Sequence, residues 1–509
     1  MDALEIYSLA LSEYRNKNYE KALEILDKFK SIAPNWSKAI LLEAYIRRDQ
    51  KLYVTEISLL KKFFEVVDIA REKYLAADAY SVAGSALRNL GNSRAAINCF
   101  LQSARLEENT AAICTEISNA IFAANDVENF SAADFEKLYS EYRKNLAAIQ
   151  PYEKKSYNHK KLRVGYLSAD FKEHPVMDWA SALIFEHNKN LFDVYCYSAG
   201  KTFDAVTEKI KSCVKWRDIS DLNDFDAAKI IRADEIDILF EFSGHTSNNR
   251  LPVMAYRPAA VQISGIGYMN STGLNCVDYF LSDETCAGRL DFFTEDLICM
   301  SRSHFCYTPI KKMPPPKISS SGYITFGCFN NFSKITDSML ATWQKILDAV
   351  PNSKLILKHK IFNTVEGKNF ISARLQNLGF NLKQIELRGF SADYLEQYNE
   401  IDIALDTFPY NGGLTTCEAL YMGVPVISLY GERHGTRFGL SILKNIGLEK
   451  FAASNFEEYI QRAVALANDT DLLKNLRVNL RDVMKNSHLM NAAEYVKELE
   501  EFYIAAVEN

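Results

Sequence analysis

Four short stretches gather side chains suited to chemistry on a charged, hydroxyl-rich substrate. They are DFKEHP (Asp170–Pro175), SGHTSNNR (Ser243–Arg250), NNFSK (Asn330–Lys334) and DTFPYNGGLTTCE (Asp406–Glu418). In the last, Asn411, Gly412 and Gly413 form a flexible turn, and Thr415 and Thr416 follow in the first turn of a helix-like run. Exposed N–H groups and the positive end of a helix dipole make such a place favourable for phosphate. Lys334 brings a fixed positive charge. Where no metal signature exists, a lysine and a helix N-terminus suffice to hold a nucleoside-diphosphate leaving group. His174 titrates near neutrality and suits a base or a polarising group, although a loop histidine serves equally well as a cap. Glu418, one turn into the helix, is placed to accept hydrogen bonds from sugar or ribose hydroxyls. An acid at that position also complements the helix dipole without any other role.

The elements that must position these loops are strands, because each loop follows an apolar run. KLRVGYLSAD, LFDVYCYSA, KWRDIS, IDILFEFSG, AVQISGIGY and DYFLSD alternate with helical stretches over 160–310. A second alternation over 322–509 runs YITFGCFN, KLILKHK, QIELRGF, IDIALDTF and VPVISLY, and closes on an amphipathic helix, NAAEYVKELEEFYIAAVEN. YTPIKKMPPPKISSSG joins the two. This pattern predicts two doubly wound α/β domains in tandem, with ligands at the carboxyl ends of their strands.

Residues 1–150 read differently. LALSEYRNKNYEKALEILDKFKSIAP and YSVAGSALRNLGNSRAAINCFLQSARL resemble one another and the tetratricopeptide pattern, in which small residues let two helices approach closely. With the stretch 42–75 between them they make roughly three helix pairs, about the minimum that stacks into a core. Such arrays either offer a concave surface to a protein partner or brace a neighbouring domain.

Bulk properties narrow the class. A chain of 509 residues needs more than one core, and 48% hydrophobic with 24% charged residues is ordinary for a globular protein. A net charge of −6 without a Lys/Arg block argues against nucleic acid as a partner. No apolar run is long enough for a membrane span, and MDALEIYSLA lacks the basic start of a signal peptide, which points to a cytoplasmic location. The ten cysteines form no CxxC and are expected to be buried free thiols. The eight histidines show neither HxxxH nor HExxH, so no metal site is indicated.

LRVGYLSADFKEHP, DILFEFSGHTSNNRL, YRPAAVQISGIGYMNSTGL, FNNFSKI and DTFPYNGGLTTCEALYMGVPV together resemble the O-linked N-acetylglucosamine transferase family: tetratricopeptide repeats before a two-domain GT-B glycosyltransferase. The resemblance implies transfer of a sugar, most simply GlcNAc from UDP-GlcNAc, to Ser/Thr of a polypeptide, with inversion and with neither metal nor other cofactor. It implies His174 as the active-site histidine, Lys334 at the donor diphosphate and Asn331 as a neighbouring donor-binding amide. Glu418 falls where members bind ribose, and Tyr394 falls where a histidine often stacks on uracil. His245 and Asn249, with Arg250 beside them, match a loop that shapes the acceptor side. Leu414 departs from the threonine usual in bacterial relatives and removes one hydroxyl from the turn. TTCEALYMGVP is shared with plant relatives resembling GDP-fucose-dependent transferases, and TFPY leans toward relatives that glucosylate asparagine. Those donors and that linkage stay open beside the first. So do glycan or glycolipid synthesis and a non-catalytic adaptor role.

Overall fold

The computed structural model describes residues 2–318 and 322–508, so the last serines of the expected linker, 319–321, lie outside the described residues. By compactness the chain divides into two units that do not follow chain order. The smaller comprises Met1–Val127, Asn331–Asp337 and Lys358–Phe390, and the larger Glu128–Asn330, Ser338–Leu357 and Ser391–Asn509.

In the smaller unit, helices Ala3–Arg15, Tyr19–Lys30, Ser37–Asp49, Tyr53–Val66, Lys73–Asn89, Ser93–Leu106 and Thr110–Ala124 follow one another through short turns. The repeat pattern is explained at Gly84. A Cβ there would sit 2.7 Å from the Phe100 ring of the next helix, so only glycine permits this approach. Ala10, Ala22, Leu26 and Phe29 build the first core cluster, and Leu60, Phe63 and Ala79 part of the next. The helices are also fastened to chain from much later in the sequence. Helix Tyr53–Val66 has no side-chain cap of its own. Glu366 supplies one, accepting from Val54 N at 2.9 Å, Thr55 N at 3.2 Å and the Thr55 hydroxyl. A carboxylate there satisfies orphan N–H groups and complements the dipole.

In the larger unit a seven-stranded parallel sheet carries β1 (Leu162–Ser168), β2 (Phe192–Ser198), β3 (Lys215–Asp218), β4 (Ile238–Glu241), β5 (Val261–Ser264), β6 (Tyr279–Asp283) and β7 (Asp296–Met300). Their order is β3-β2-β1-β4-β5-β6-β7. Val164 lies opposite Val194 on one side and Ile238 on the other, and all three belong to continuous apolar runs, as strands covered on both faces do. β7, in EDLICM, is a strand that the sequence reading passed over.

The second sheet of this unit carries β8 (Thr325–Cys328), β9 (Lys354–Lys358), β11 (Ile403–Leu405), β12 (Val426–Leu429) and β13 (Ala452–Ala453), while the strand β10 (Ile385–Arg388) falls outside it. Within the larger unit the order is β9-β8-β11-β12-β13; β10 belongs to the smaller unit. In each sheet the winding reverses once, between β1 and β4 and between β8 and β11. Crevices outside the strand ends at such reversals are where open α/β sheets bind ligands. The four polar loops follow those four strands.

Among the described residues no helix is long and apolar enough to cross a membrane. Six of the ten cysteines are buried free thiols as expected, whereas Cys213 and Cys299 are exposed.

Candidate active site

The turn after β11 is organised from within by Asp406. Its Oδ1 accepts from Gly412 N at 2.7 Å, Thr407 N at 2.8 Å and Asn330 Nδ2 at 3.3 Å, while Oδ2 accepts from the Ser428 hydroxyl at 2.7 Å. Asn330, at the end of β8, in turn accepts from Thr415 Oγ1 at 2.7 Å, which joins the two loops of the reversal. Thr416 Oγ1 donates to Gly412 O at 3.0 Å. Both hydroxyl hydrogens expected to meet a phosphate are therefore engaged inside the turn. Asn411 is buried too, its amide donating to Thr407 O and Leu429 O at 2.7 and 3.0 Å. A Cβ on Gly412 would lie 2.5 Å from Thr415 Oγ1, so the tight turn demands glycine. What remains for an anion is backbone. Helix Leu414–Tyr421 starts at Gly413 without a side-chain cap, and its first N–H groups have no partner within the helix.

Gly413 faces Trp179, Phe305 and Phe438, whose rings would stand 3.7 to 3.9 Å from a Cβ placed there. These rings pack on one another, with centroids 4.6 Å (Trp179–Phe305) and 4.9 Å (Phe305–Phe438) apart. They form an apolar wall beside the helix start. Trp179 lies on helix Met177–Phe185, which opens just after the His174 loop. Glu173 N anchors that loop on Asp204 Oδ2 at 2.7 Å. His174 is half-buried. Its Nδ1 accepts from Val176 N at 3.3 Å, with Asp170 Oδ2 3.6 Å away. In that arrangement the neutral ring carries its hydrogen on Nε2 and offers a donor. Burial lowers the imidazole pKa; Asp170 opposes the shift and Lys172 adds to it.

Glu418 is buried, and Tyr394 donates its hydroxyl hydrogen to Glu418 Oε1 at 2.5 Å. Burial pushes this carboxyl up to about 7, against the Tyr394 hydrogen bond and with help from Asp178. Asp178 is itself lifted to about 6, chiefly by burial. One face of the Tyr394 ring is covered by Lys311, whose Nζ is 5.3 Å from the ring centroid.

Asn331 and Lys334 lie in the smaller unit. Asn331 Oδ1 caps the short turn Phe332–Lys334 by accepting from Ser333 N at 3.4 Å. Lys334 stands close enough to the buried carboxyl of Asp126, on the repeats, to stabilise its charge beside Arg88.

The three acceptor-side residues hold architecture together. His245 is buried among Tyr139, Tyr142 and Tyr268, with Nε2 2.9 Å from Thr272 O, and burial lowers its pKa to about 4. Asn249 donates to Thr246 O at 2.9 Å. Arg250 binds Asp224 Oδ1 at 2.6 Å and the carbonyls of Ile219 and Leu222 at 3.2 and 3.0 Å. Their charge and amide groups set the loop rather than project from it. Asp406 and Asn330 fall within the polar loops read from the sequence but are given no role there, and Asp178, Trp179 and Lys311 are passed over. Asp406 alone had a visible signal, an acid ending an apolar strand directly before the glycines.

A family model described as Glycosyl transferase family 41 matches residues 136–314 and 319–499, and one described as Fis1 C-terminal tetratricopeptide repeat matches residues 5–51. A protein of Solanum lycopersicum named "Probable UDP-N-acetylglucosamine--peptide N-acetylglucosaminyltransferase SPINDLY" is 37% identical over 383 residues, 72% of this chain and 40% of its own. The Arabidopsis thaliana protein of the same name is 39% identical over 356 residues, 67% of this chain and 39% of its own. The chain thus spans about two fifths of the length of these curated relatives. A solved structure of a mutant Thermobaculum terrenum O-GlcNAc transferase has a TM-score of 0.85 at 28% identity, covering 99% of this chain and 97% of that one.

Proposed function

The chain belongs to glycosyl transferase family 41 and has the GT-B architecture, and on that premise we propose that it moves GlcNAc from UDP-GlcNAc to Ser/Thr side chains of proteins. The acceptor oxygen bonds to the anomeric carbon as the bond to the diphosphate oxygen breaks, with inversion. The electron pair leaves with the diphosphate, and the acceptor proton passes to a base. No metal takes part in this reading. The diphosphate is stabilised by the uncapped N–H groups at Gly413–Thr416 and, as the family resemblance implies, by Lys334. Glu418 receives the ribose hydroxyls, Tyr394 carries the base, and His174 orients the acceptor by donating from Nε2 in the tautomer the Val176 contact favours, or deprotonates it in the other tautomer, with Nε2 bare.

The observation that supports this most directly is the start of helix Leu414–Tyr421. Its threonine hydroxyls turn inward, its glycine leaves the N–H groups uncovered, and it stands at the reversal of the second sheet. The relatives' names, each that of a probable UDP-N-acetylglucosamine--peptide transferase, support this choice of donor and a polypeptide acceptor.

A test is mass spectrometry of a peptide pool incubated with UDP-GlcNAc, UDP-glucose and GDP-fucose in turn. An N-acetylhexosamine on Ser/Thr is expected. A hexose on Asn would replace this reading with N-glucosylation, and a deoxyhexose on Ser/Thr would reassign the donor. Absence of both UDP and GDP binding by calorimetry would leave an adaptor.

A further inference from the structure

Cys286, His304 and His434 come from three separated places: the loop after β6, the loop after β7, and the turn His434–Thr436 after β12. All three are buried, and their ligand-type atoms lie within 4.8 Å of one another. Hydrogen bonding indicates which ring nitrogens are left without a hydrogen. His304 Nδ1 is 2.6 Å from Asp283 Oδ2, so it carries the hydrogen and donates to the carboxylate. His434 Nδ1 is 3.3 Å from the carbonyl of Met269, which can only accept. Each ring is thereby left with a bare lone pair on Nε2. His434 Nε2 is fully enclosed and has no hydrogen-bond partner. The nearest thiol hydrogen is directed elsewhere, toward Arg437 O at 3.5 Å from Cys286 Sγ. Phe280, Phe293 and Phe438 surround His434, so water does not replace the missing donor cheaply.

Two buried imidazoles and a buried thiol thus bring ligand-type atoms within 4.8 Å of one another, and one of them, His434 Nε2, has no hydrogen-bond partner. We propose that Cys286 Sγ, His304 Nε2 and His434 Nε2 bind a divalent metal of the zinc class. A sulfur-and-imidazole donor set suits Zn²⁺, which needs no redox partner. Binding displaces the thiol proton to solvent, and the resulting thiolate together with the Asp283 carboxylate neutralises the ion's two charges. Asp283 orients His304 through its far nitrogen, the habitual arrangement for a metal-bound histidine. Asp283 is itself held by the Ser441 hydroxyl at 2.8 Å and by Thr285 N and Cys286 N at 2.9 and 2.7 Å. The ion ties together three loops whose histidines pack on Phe305 and Phe438, the rings that border Gly413. No short motif announces it, because the fold alone assembles its ligands.

The test uses the full chain without an affinity tag, loaded with Zn²⁺ or Co²⁺ and then desalted. Elemental analysis is expected to find about one Zn²⁺ per chain, and the Co²⁺ form a thiolate-to-metal charge-transfer absorption. Cys286→Ser, nearly isosteric, is expected to keep the native circular dichroism, lose that absorption and weaken Zn²⁺ binding by roughly tenfold or more. Asp283→Asn should weaken binding by roughly 10–100-fold. No retained Zn²⁺ after loading would overturn the proposal in favour of a proton shared between the histidines. So would retention that Cys286→Ser leaves unchanged, or a Co²⁺ form without the absorption. Metal content is read independently of sugar transfer, so this result and the functional one stand apart.

Discussion

Tyr394 donates its hydroxyl hydrogen to Glu418 Oε1 at 2.5 Å, deep enough that the carboxyl is pushed from 4.5 up to about 7. The folded chain keeps this proton after the unfolded chain has lost it. Between pH 4.5 and about 7 the native state therefore binds more protons, and its stability falls as pH rises. Glu418→Gln removes this contribution. Denaturant unfolding should show the variant gaining on the parent through that window, by on the order of 3 kcal/mol at pH 8. A difference that stays constant from pH 4 to pH 8 would contradict the buried, raised acid.

His174 should act through its protonation state. Its pKa is lowered mainly by burial and held up by Asp170, so kcat/KM is expected to fall on the acid side at a pH below the ordinary imidazole value. Asp170→Asn removes the opposing charge and should move that limb to still lower pH. His174→Ala should cost roughly 10²–10⁴-fold in turnover while leaving UDP affinity nearly unchanged in calorimetry.

Lys334→Ala is expected to lower turnover on the order of 10²-fold or more, as loss of a donor to developing charge does. Near-normal turnover in this variant would remove Lys334 from the mechanism. A fall in thermal stability without a fall in turnover would leave it only its influence on Asp126.

Arg250 tests the distinction between touching an acceptor and holding a loop. Its guanidinium is committed to Asp224 and two carbonyls, and Arg250→Ala strands those groups at a cost of about 2 kcal/mol. Thermal unfolding should register that loss, while KM for a peptide acceptor stays within about twofold, less than one weak hydrogen bond. A large KM change at unaltered stability would return Arg250 to the acceptor.

Much of this was legible in the sequence for a physical reason. Strands covered on both faces must be continuously apolar, so IDILFEF and IDIALDTF announce themselves and the loops after them. Gly84 and Phe100 declared the helix pair because only a missing side chain lets them meet. Hydrogen-bond direction was not legible. Thr415 and Thr416 looked like phosphate ligands, yet Asn330 and Gly412 take their hydrogens. Likewise the motif that singles out His245 does not reveal the three tyrosines packed around its ring. β7 escaped notice because DLICM carries an acid and exposed Cys299 within five residues.

Glu366 reaches across more than half the chain's length to cap a helix near its beginning. The repeat array is therefore not an exchangeable cassette ahead of a self-sufficient engine. A protease nick in the polar stretch 150–161 would cut the polypeptide without freeing the array, since residues 358–390 would still grip it. Any change that lengthens, shortens or swaps these helices must therefore keep a carboxylate at position 366 within reach of Val54 and Thr55.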